Sequence, residues 1–365
     1  MRKPTLSACL LLALILATTG PASADDWPFE EDSWLMVVLP DIQSYVDHSE
    51  HMHILNDCMD WISEHREQFN IALVLQEGDI VFQNGVLFAA QSSGNQNSFQ
   101  QWRNARQAIG RVSDDIPVIM ATGNHDYGRQ NAENRNSRFS DYFRLEDFPL
   151  LDPAQGGILA EMYPNASGRL TMENAAYDFT APDGRKMLVV SLEWGPRSEV
   201  VRWAGELCAR SEYSGHTQLL LTHAYTYFDD TRFDWQARGD SQAANPYSYK
   251  GTAADTSDGE DLWQAIASKQ PLMQLVFSGH VGGDMVGRLT TQNDAGNDCH
   301  QMLFNAQFLP YGGEGWIRLL EFLPDGRTIH VRTYSPWFDN DGDDATSGWR
   351  RGPDDDFMLE LLPAG

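Results

Sequence analysis

The chain has 365 residues, of which 42% are hydrophobic and 11% aromatic. This is enough apolar material for a sizeable core, and it excludes intrinsic disorder of the chain as a whole. The 52 acidic residues outnumber the 26 Lys and Arg and give a net charge of -26. Such a field repels nucleic-acid phosphates and anionic lipids, so we expect neither nucleic acid nor a membrane as a partner.

The first 24 residues are typical of a secretory signal peptide. Arg2 and Lys3 form a basic start, residues 6–17 are mostly apolar, and the small residues of Ala22–Ala24 precede Asp25. We predict cleavage after this signal and a secreted or periplasmic mature protein. An uncleaved anchor is the alternative, but the apolar run is short for a membrane span.

Cysteine usage is consistent with an exported protein. Removal of the signal would leave Cys58, Cys208 and Cys299. Two of these could form a disulfide in an oxidising compartment, and the sequence does not determine which two. No CxxC pair occurs, which argues against a structural zinc site or a dithiol redox site.

Apolar runs alternate with helical patterns up to residue 277. This alternation is typical of a mostly parallel or mixed sheet. The predicted strands are Trp34–Leu39, Ile71–Leu75, Pro117–Ala121, Met187–Leu192, Gln218–Leu221 and Met273–Phe277. The predicted helices cover 53–69, 99–112 and 198–210, and Ser257 to Glu260 form a capping box before another helix.

The pattern changes after residue 300. Three apolar runs separated by turns, 302–306, 316–323 and 329–334, predict a second, antiparallel-rich sheet packed on the first. No linker divides the chain, so we predict a single domain over residues 25–365. The long polar segment 229–259 carries several aromatic residues, and we expect it to form a wall of a site.

Polar residues able to bind metals follow five of the predicted strands. They are Asp41, Asp79, Asn124 with His125 and Asp126, His223, and His280. Ligands of open α/β sheets bind at the carboxyl ends of strands, and this donor set suits Zn, Mn or Fe at a hydrolytic site. Each residue alone has an ordinary explanation as a turn, a helix cap or a core histidine. Their succession at strand ends predicts a metal centre.

This series of motifs, from Asp41 to His280, resembles the calcineurin-like metallophosphoesterases. The resemblance implies an α/β fold with a two-sheet β-sandwich flanked by helices, in four layers. It also implies a metal-dependent phosphoesterase that holds two ions among Mn, Fe, Zn, Ni and Mg. Such an enzyme hydrolyses small phosphomonoester or phosphodiester substrates with a metal-activated water or hydroxide.

The resemblance further assigns roles to single residues. Asp79 would bridge both ions, and the second ion would also take Asn124, His223 and His280. The first ion would take Asp41 and Gln43. His125 would be the general acid, and Asp126 the carboxylate that orients it.

Two positions depart from the family pattern. The first motif has Gln43 where the family usually has His, which is similar to an exported bacterial sub-group that starts Pro-Asp-x-Gln. The last motif has Gly282 where the family usually has His. Both missing imidazoles belong to the first ion, so we expect a weak first site, completed by water, the Gly282 carbonyl or Asp284. The alternative is a metallophosphoesterase-fold binding or surface-interaction protein with weakened catalysis.

Overall fold

The secondary structure follows the apolar runs of the sequence. The computed structural model describes residues 27–89, 94–341 and 348–363, so the predicted signal peptide lies outside the described residues. The strands are Trp34–Leu39 (β1), Ile71–Gln76 (β2), Val118–Met120 (β3), Leu159–Pro164 (β4), Leu170–Thr180 (β5), Lys186–Ser191 (β6), Thr217–Leu221 (β7), Thr226–Tyr227 (β8), Thr231–Arg232 (β9), Met273–Ser278 (β10), Val286–Gln292 (β11), Asp298–Phe304 (β12), Ile317–Phe322 (β13), Thr328–Tyr334 (β14), Trp349–Arg350 (β15) and Asp356–Glu360 (β16). The helices are Gln43–Val46 (α1), Met52–Glu64 (α2), Ser98–Ile109 (α3), Phe139–Tyr142 (α4), Ser198–Cys208 (α5), Trp235–Arg238 (α6), Gly259–Ala265 (α7) and Pro336–Asp341 (α8).

The first sheet combines three N-terminal strands with four C-terminal ones. Its order is β15-β14-β13-β1-β2-β3, with β16 also paired to β14. The strands β1, β2 and β3 are parallel, whereas β13 pairs antiparallel with β1 and β14 antiparallel with β13. Every residue of β1 is buried, as expected for a strand covered on both faces.

The second sheet has the order β11-β12-β10-β7-β6-β5-β4. Its central strands β6, β7, β10 and β12 are parallel. The strands β4 and β5 join antiparallel at one edge and β11 at the other. The carboxyl ends of the parallel strands therefore share one edge of this sheet, as those of β1 to β3 do in the first.

The predicted separate C-terminal sheet is wrong. The run that contains β12 lies parallel to β10 in the second sheet, while β13, β14 and β16 extend the first sheet. Both sheets need partners for the free backbone groups of their edge strands, and an apolar run does not specify which edge it will pair with.

The two sheets pack face to face, and helices cover their outer faces. Alternate residues of the second sheet point to opposite sides: Val189 and Leu221 join the core that includes the first sheet, whereas Val190 and Leu220 pack with α5 and α7. Helices α2 and α3 bury their apolar side chains with the first sheet. The prediction of an α/β two-sheet sandwich flanked by helices in four layers is confirmed.

Helix boundaries differ from the prediction by a few residues. Helix α2 ends at Glu64, and Phe69, predicted within it, packs its ring against that of Trp27 at 5.0 Å. The capping box of α7 is formed by Asp258 and Asp261, one residue later than predicted. The Asp258 side chain accepts the Asp261 N–H, and the Asp258 N–H donates to the Asp261 side chain in return.

The three cysteines remain unpaired. Cys58, Cys208 and Cys299 are free and buried, so the structure forms no disulfide from them. Burial raises the pKa of the Cys208 and Cys299 thiols to about 12, and both therefore stay protonated. Over the described residues, we find no helix with the length and apolar character needed to cross a bilayer.

Candidate metal centre

The residues after the parallel strands of both sheets meet at one place. The backbone N–H of His280, after β10, donates to both Asp41 oxygens, after β1, at 3.2 and 3.1 Å. The imidazole of His223, after β7, hydrogen-bonds through Nδ1 to the Glu77 carbonyl, after β2, at 2.8 Å. These contacts cross from one sheet to the other, so the site lies where the two sets of strand ends face each other.

Three side chains of this site can hold one ion together. Asp79, His223 and His280 each offer a ligand atom, these atoms lie within 4.8 Å of one another, and all three residues are buried. The Nδ1 of His223 is engaged by Glu77, which leaves Nε2 free at 3.2 Å from Asp79 Oδ2. The Nε2 of His280 hydrogen-bonds to the Ala244 carbonyl at 2.8 Å, which leaves Nδ1 free. A backbone carbonyl that fixes the other ring nitrogen is the usual support of a histidine ligand.

Asn124 brings a fourth donor. Its Nδ2 donates to Asn131 Oδ1 at 2.7 Å, and its Oδ1 is buried without a hydrogen-bond partner. The Nε2 of His223 is also buried, and it faces Asp79 Oδ2 at 3.2 Å. A buried polar atom without a partner is costly, and a cation held by these residues would satisfy the Asn124 oxygen. The second-ion residues of the prediction thus fit an ion.

Asp41 and Gln43, the residues predicted for the first ion, are held by hydrogen bonds to other side chains of the site. Asp41 Oδ2 accepts from Asn305 Nδ2 at 2.9 Å and from Gln307 Nε2 at 2.7 Å. Gln43 Nε2 donates to Asp79 Oδ2 at 2.9 Å and also to Gln307 Oε1. The structure therefore brings Asp41 and Gln43 to Asp79 as predicted, together with two amides that were not predicted.

The position of the missing second histidine is covered. A side chain added at Gly282 would come within 2.5 Å of the Phe308 ring. Asp284, one of the predicted substitutes, is exposed. The residue next to Phe308 is Gln307, and it is this residue that reaches Asp41.

His125 is held by the backbone rather than by Asp126. Its Nδ1 hydrogen-bonds to the Phe82 carbonyl at 2.9 Å, and the two rings lie 4.6 Å apart. Asp126 instead accepts the backbone N–H groups of Gly123, Ile80 and Val81 at 2.7, 2.9 and 3.0 Å. The prediction that Asp126 orients the His125 ring is corrected. Its carboxylate closes the two loops that carry Asp79 and Asn124, and it satisfies buried N–H groups in doing so.

Burial and neighbouring charges perturb the ionisable groups strongly. Burial raises the pKa of Asp41 well above its usual range. Burial opposes a charge on His223, but Asp79 and Asp41 nevertheless raise the pKa of His223 to about 9. Burial lowers the pKa of His280 to about 3, with a further contribution from the charge of His223. The ion-free site therefore holds a proton at His223, where an ion would supply positive charge instead.

Glycines allow the backbone to approach the carboxylates. A Cβ on Gly123 would lie 2.1 Å from Asp79 Oδ1, and one on Gly279 would lie 2.0 Å from Asp41 Oδ1. Asp79 and His280 themselves have φ angles of 49° and 79°, in the left-handed region that costs energy for residues other than glycine. The backbone of the strand-end loops therefore lies in close contact with the carboxylates of Asp79 and Asp41.

Aromatic residues form the wall behind the two histidines. The ring of Trp194, after β6, lies 4.9 Å from that of His280 and 5.8 Å from that of His223. Tyr249 packs on Trp194 at 4.8 Å. Tyr249 and Ala244 both belong to segment 229–259, which therefore does contact the site as expected.

Sequence reasoning missed Gln307, Asn305 and Trp194. A signal for the first two exists, because Asn305 and Gln307 come just after β12, as Asp41 and Asp79 come after β1 and β2. The predicted run 302–306 includes Asn305 and belongs to an antiparallel sheet in the prediction, which hides this strand end. Trp194 gave no comparable signal, since a tryptophan after a strand is usually a core residue.

Comparisons with known proteins were made for the whole chain. No family model matches it. The curated protein YvnB of Bacillus subtilis (strain 168), itself described as uncharacterized, is 26% identical over 344 residues. The match covers 92% of this chain and 22% of YvnB, so the chain spans about a fifth of the length of the curated relative it matches.

Solved structures of other proteins were also found to be similar to this chain. A dimetal phosphatase from Danio rerio superposes with a TM-score of 0.52 at 12% identity, over 90% of this chain and 99% of that one. A 5'-nucleotidase from Candida albicans gives a TM-score of 0.38 at 13% identity, over 80% of this chain and 49% of that one. The likeness to the phosphatase shows that the two chains share a fold.

Proposed function

We propose that this protein is a metal-dependent phosphoric ester hydrolase of the calcineurin-like metallophosphoesterase type, acting on a small phosphomonoester or phosphodiester. The observation that carries the proposal is the grouping of Asp79, His223 and His280 at one place. Asn124 lies beside this group, because the next residue, His125, donates its backbone N–H to Asp79 Oδ1, and the Asn124 side-chain oxygen is buried without a hydrogen-bond partner. The shared fold with a dimetal phosphatase supports the proposal.

The metal centre would consist of two ion-binding halves with unequal ligand sets. The second half has the three grouped side chains just named together with Asn124, and its two imidazoles suit Zn, Mn or Fe. The first half has Asp41, Gln43 and the shared Asp79, without an imidazole. We therefore propose a tightly held second ion and a weakly held first ion. Bound divalent ions would lower the pKa of a water molecule and neutralise the phosphoryl oxygens.

The protein's own residues would orient the substrate and move a proton. The Phe82 carbonyl holds His125 by Nδ1, so that Nε2 is free to give a proton to the leaving oxygen. Asp126 keeps the loops of Asp79 and Asn124 together through backbone N–H groups. Trp194 and its aromatic neighbours exclude water from the far side of the histidines, which strengthens electrostatic interactions inside the site.

A binding protein with weakened catalysis is the second candidate. The amide hydrogen bonds on Asp41 favour it, since they occupy a carboxylate that the first ion would need. The two candidates differ in one respect that can be measured. A binding protein would retain the second ion but would not turn over phosphoesters at any ion concentration.

The proposal is tested by ion analysis combined with a substrate panel. Ion-free protein is supplied with Mn²⁺, Mg²⁺ or Zn²⁺ and assayed with aryl phosphomonoesters, phosphodiesters and nucleotides. We expect ion-dependent hydrolysis of at least one class. Asp79→Ala should lose both turnover and most of the bound ion, because Asp79 contacts both His223 of the second half and Gln43 of the first. Asp298→Ala, an exposed carboxylate at the amino end of β12, is the matched control. Normal turnover in Asp79→Ala would refute the site.

Export is proposed from the sequence alone. The basic start, the apolar run and the cleavage signal predict a mature chain that begins at Asp25. N-terminal sequencing of the protein recovered from the medium or periplasm tests this, and retention of Met1 would contradict it.

A further inference from the structure

The first-ion half contains a chain of amide hydrogen bonds that runs from Asp79 to Asp41. Gln43 Nε2 donates to Asp79 Oδ2 at 2.9 Å and to Gln307 Oε1, and Gln307 Nε2 donates to Asp41 Oδ2 at 2.7 Å. All four side chains are buried. Two glutamine amides therefore join the two carboxylates that the fold offers to the first ion.

Gln307 is placed there by the turn after β12. Its backbone N–H donates to Asn305 Oδ1 at 3.0 Å, and Asn305 in turn donates to Asp41. The next residue, Phe308, covers Gly282 and fills the space that a side chain at 282 would need. The glycine at 282 and the glutamine at 307 are structurally linked. The turn after β12 places Phe308 against Gly282 and also brings Gln307 to Asp41.

We propose that Gln307 supplies the fourth side-chain ligand of the first ion, in place of the absent histidine. The proposal rests on the proposed function, from which it takes the ion. The terminal amide groups of Gln43 and Gln307 lie within hydrogen-bond distance of the Asp79 and Asp41 carboxylates, at 2.9 and 2.7 Å. Both amides are therefore next to the charged oxygens that would hold the first ion.

The amides have oxygen atoms available for this role. A half turn about the last side-chain bond exchanges the nitrogen and oxygen of a glutamine and moves no other group. The Oε1 of Gln43 accepts no hydrogen bond where it lies, so turning this oxygen toward the carboxylates breaks no hydrogen bond that it accepts. The same turn of Gln307 brings its oxygen to Asp41 and keeps the contact between the two amides.

The resulting donor set defines the class of ion. Asp41, Asp79, Gln43 and Gln307 offer oxygen only, two charged and two neutral. Hard ions such as Mg²⁺ and Mn²⁺ prefer such a set, whereas the imidazoles of His223 and His280 suit Zn²⁺. The two halves of the centre thus differ in ion preference as well as in affinity.

Ion binding by three variants tests this assignment. Mn²⁺ is titrated into the ion-free protein, and stoichiometry and both dissociation constants are measured by calorimetry and by elemental analysis after dialysis. Gln307→Ala should weaken the first ion by at least about tenfold and leave the second unchanged. Gln307→Glu adds a charged oxygen and should tighten the first ion by a similar factor. Asp298→Ala, on an exposed side chain at the amino end of β12, should change neither constant.

The titrations can contradict the assignment of Gln307 in two ways. Unchanged or tighter binding of the first ion in Gln307→Ala would overturn the proposal, the tighter case showing that the amide competes with the ion. A parent protein that binds one ion only would also overturn it, while leaving the second half intact. A parent that binds no ion would refute the proposed function itself. If melting temperatures show that Gln307→Ala is not folded, Gln307→Glu alone gives the answer.

Discussion

At the scale of the residue, the most informative side chain is His125, because its ring is fixed by one nitrogen and free at the other. We expect His125→Ala to lower turnover by about 10²-fold or more for poor leaving groups. Leaving groups such as nitrophenolate need little protonation and should suffer less. The measurement is kcat for an alkyl and a nitrophenyl ester of the same phosphate, with His53→Ala, an exposed histidine, as control. Equal losses for both esters would exclude the general-acid role.

The proposed ligands could be selected from the sequence because carboxylates, amides and imidazoles at strand ends are recognisable by residue type. The strand ends do place Asp41, Asp79, Asn124, His223 and His280 close together. Gln43, which only the family resemblance suggested, donates to Asp79. The role of Asp126 was not predictable, because its partners are backbone N–H groups of residues 80, 81 and 123. Backbone donors are the same at every position, so a sequence cannot show which of them a carboxylate will meet.

At the scale of the element, the strand-end glycines decide whether the loops can carry the carboxylates. Gly123→Ala would place a Cβ 2.1 Å from Asp79 Oδ1, whereas Gly215 has nothing within 4 Å of such an atom. We expect Gly123→Ala to weaken the second ion by at least about tenfold and to cost about 1–3 kcal/mol of stability. Gly215→Ala should do neither. Calorimetric titration and thermal melting check both effects, and parent-like ion affinity in Gly123→Ala would disprove the crowding argument.

Strands were easier to predict than sheets. The six buried runs before residue 278 all form strands, because a run of apolar residues between turns has few other uses. The strands β4 and β5 escaped prediction, since β4 is half exposed and β5 contains polar residues such as Glu173 and Asn174. The partner of each strand also escaped, because pairing depends on edges that are formed by distant parts of the chain. Gln307 was missed for this reason.

At the scale of the whole molecule, an ion-free site with shifted pKa values makes stability depend on pH. The pKa of His223 is raised from 6.5 to about 9 in the folded protein. The proton on His223 therefore stabilises the fold, and this contribution is complete below pH 6.5 and lost as the pH rises toward 9. Burial raises the pKa of Asp126 to about 7, with a further contribution from Asp79, and this acts in the same direction.

We therefore expect the ion-free protein to melt at progressively lower temperatures between pH 6.5 and 9. An ion on His223 replaces the proton, so the loaded protein should not show this decline. The measurement is thermal melting across this range with a chelator and with saturating Mn²⁺. Parallel pH profiles for the two forms would mean that the proton on His223 and the ion do not compete for one position.

The central claim is that the strand ends of both sheets build one ion site. It is tested most directly by anomalous diffraction from a crystal of the ion-free protein soaked in Zn²⁺. We predict a strong peak at roughly 2.0–2.2 Å from ligand atoms of Asp79, Asn124, His223 and His280. The claim would be contradicted by a map without a peak there, with His223 Nε2 still in direct contact with Asp79 and the zinc bound elsewhere on the chain.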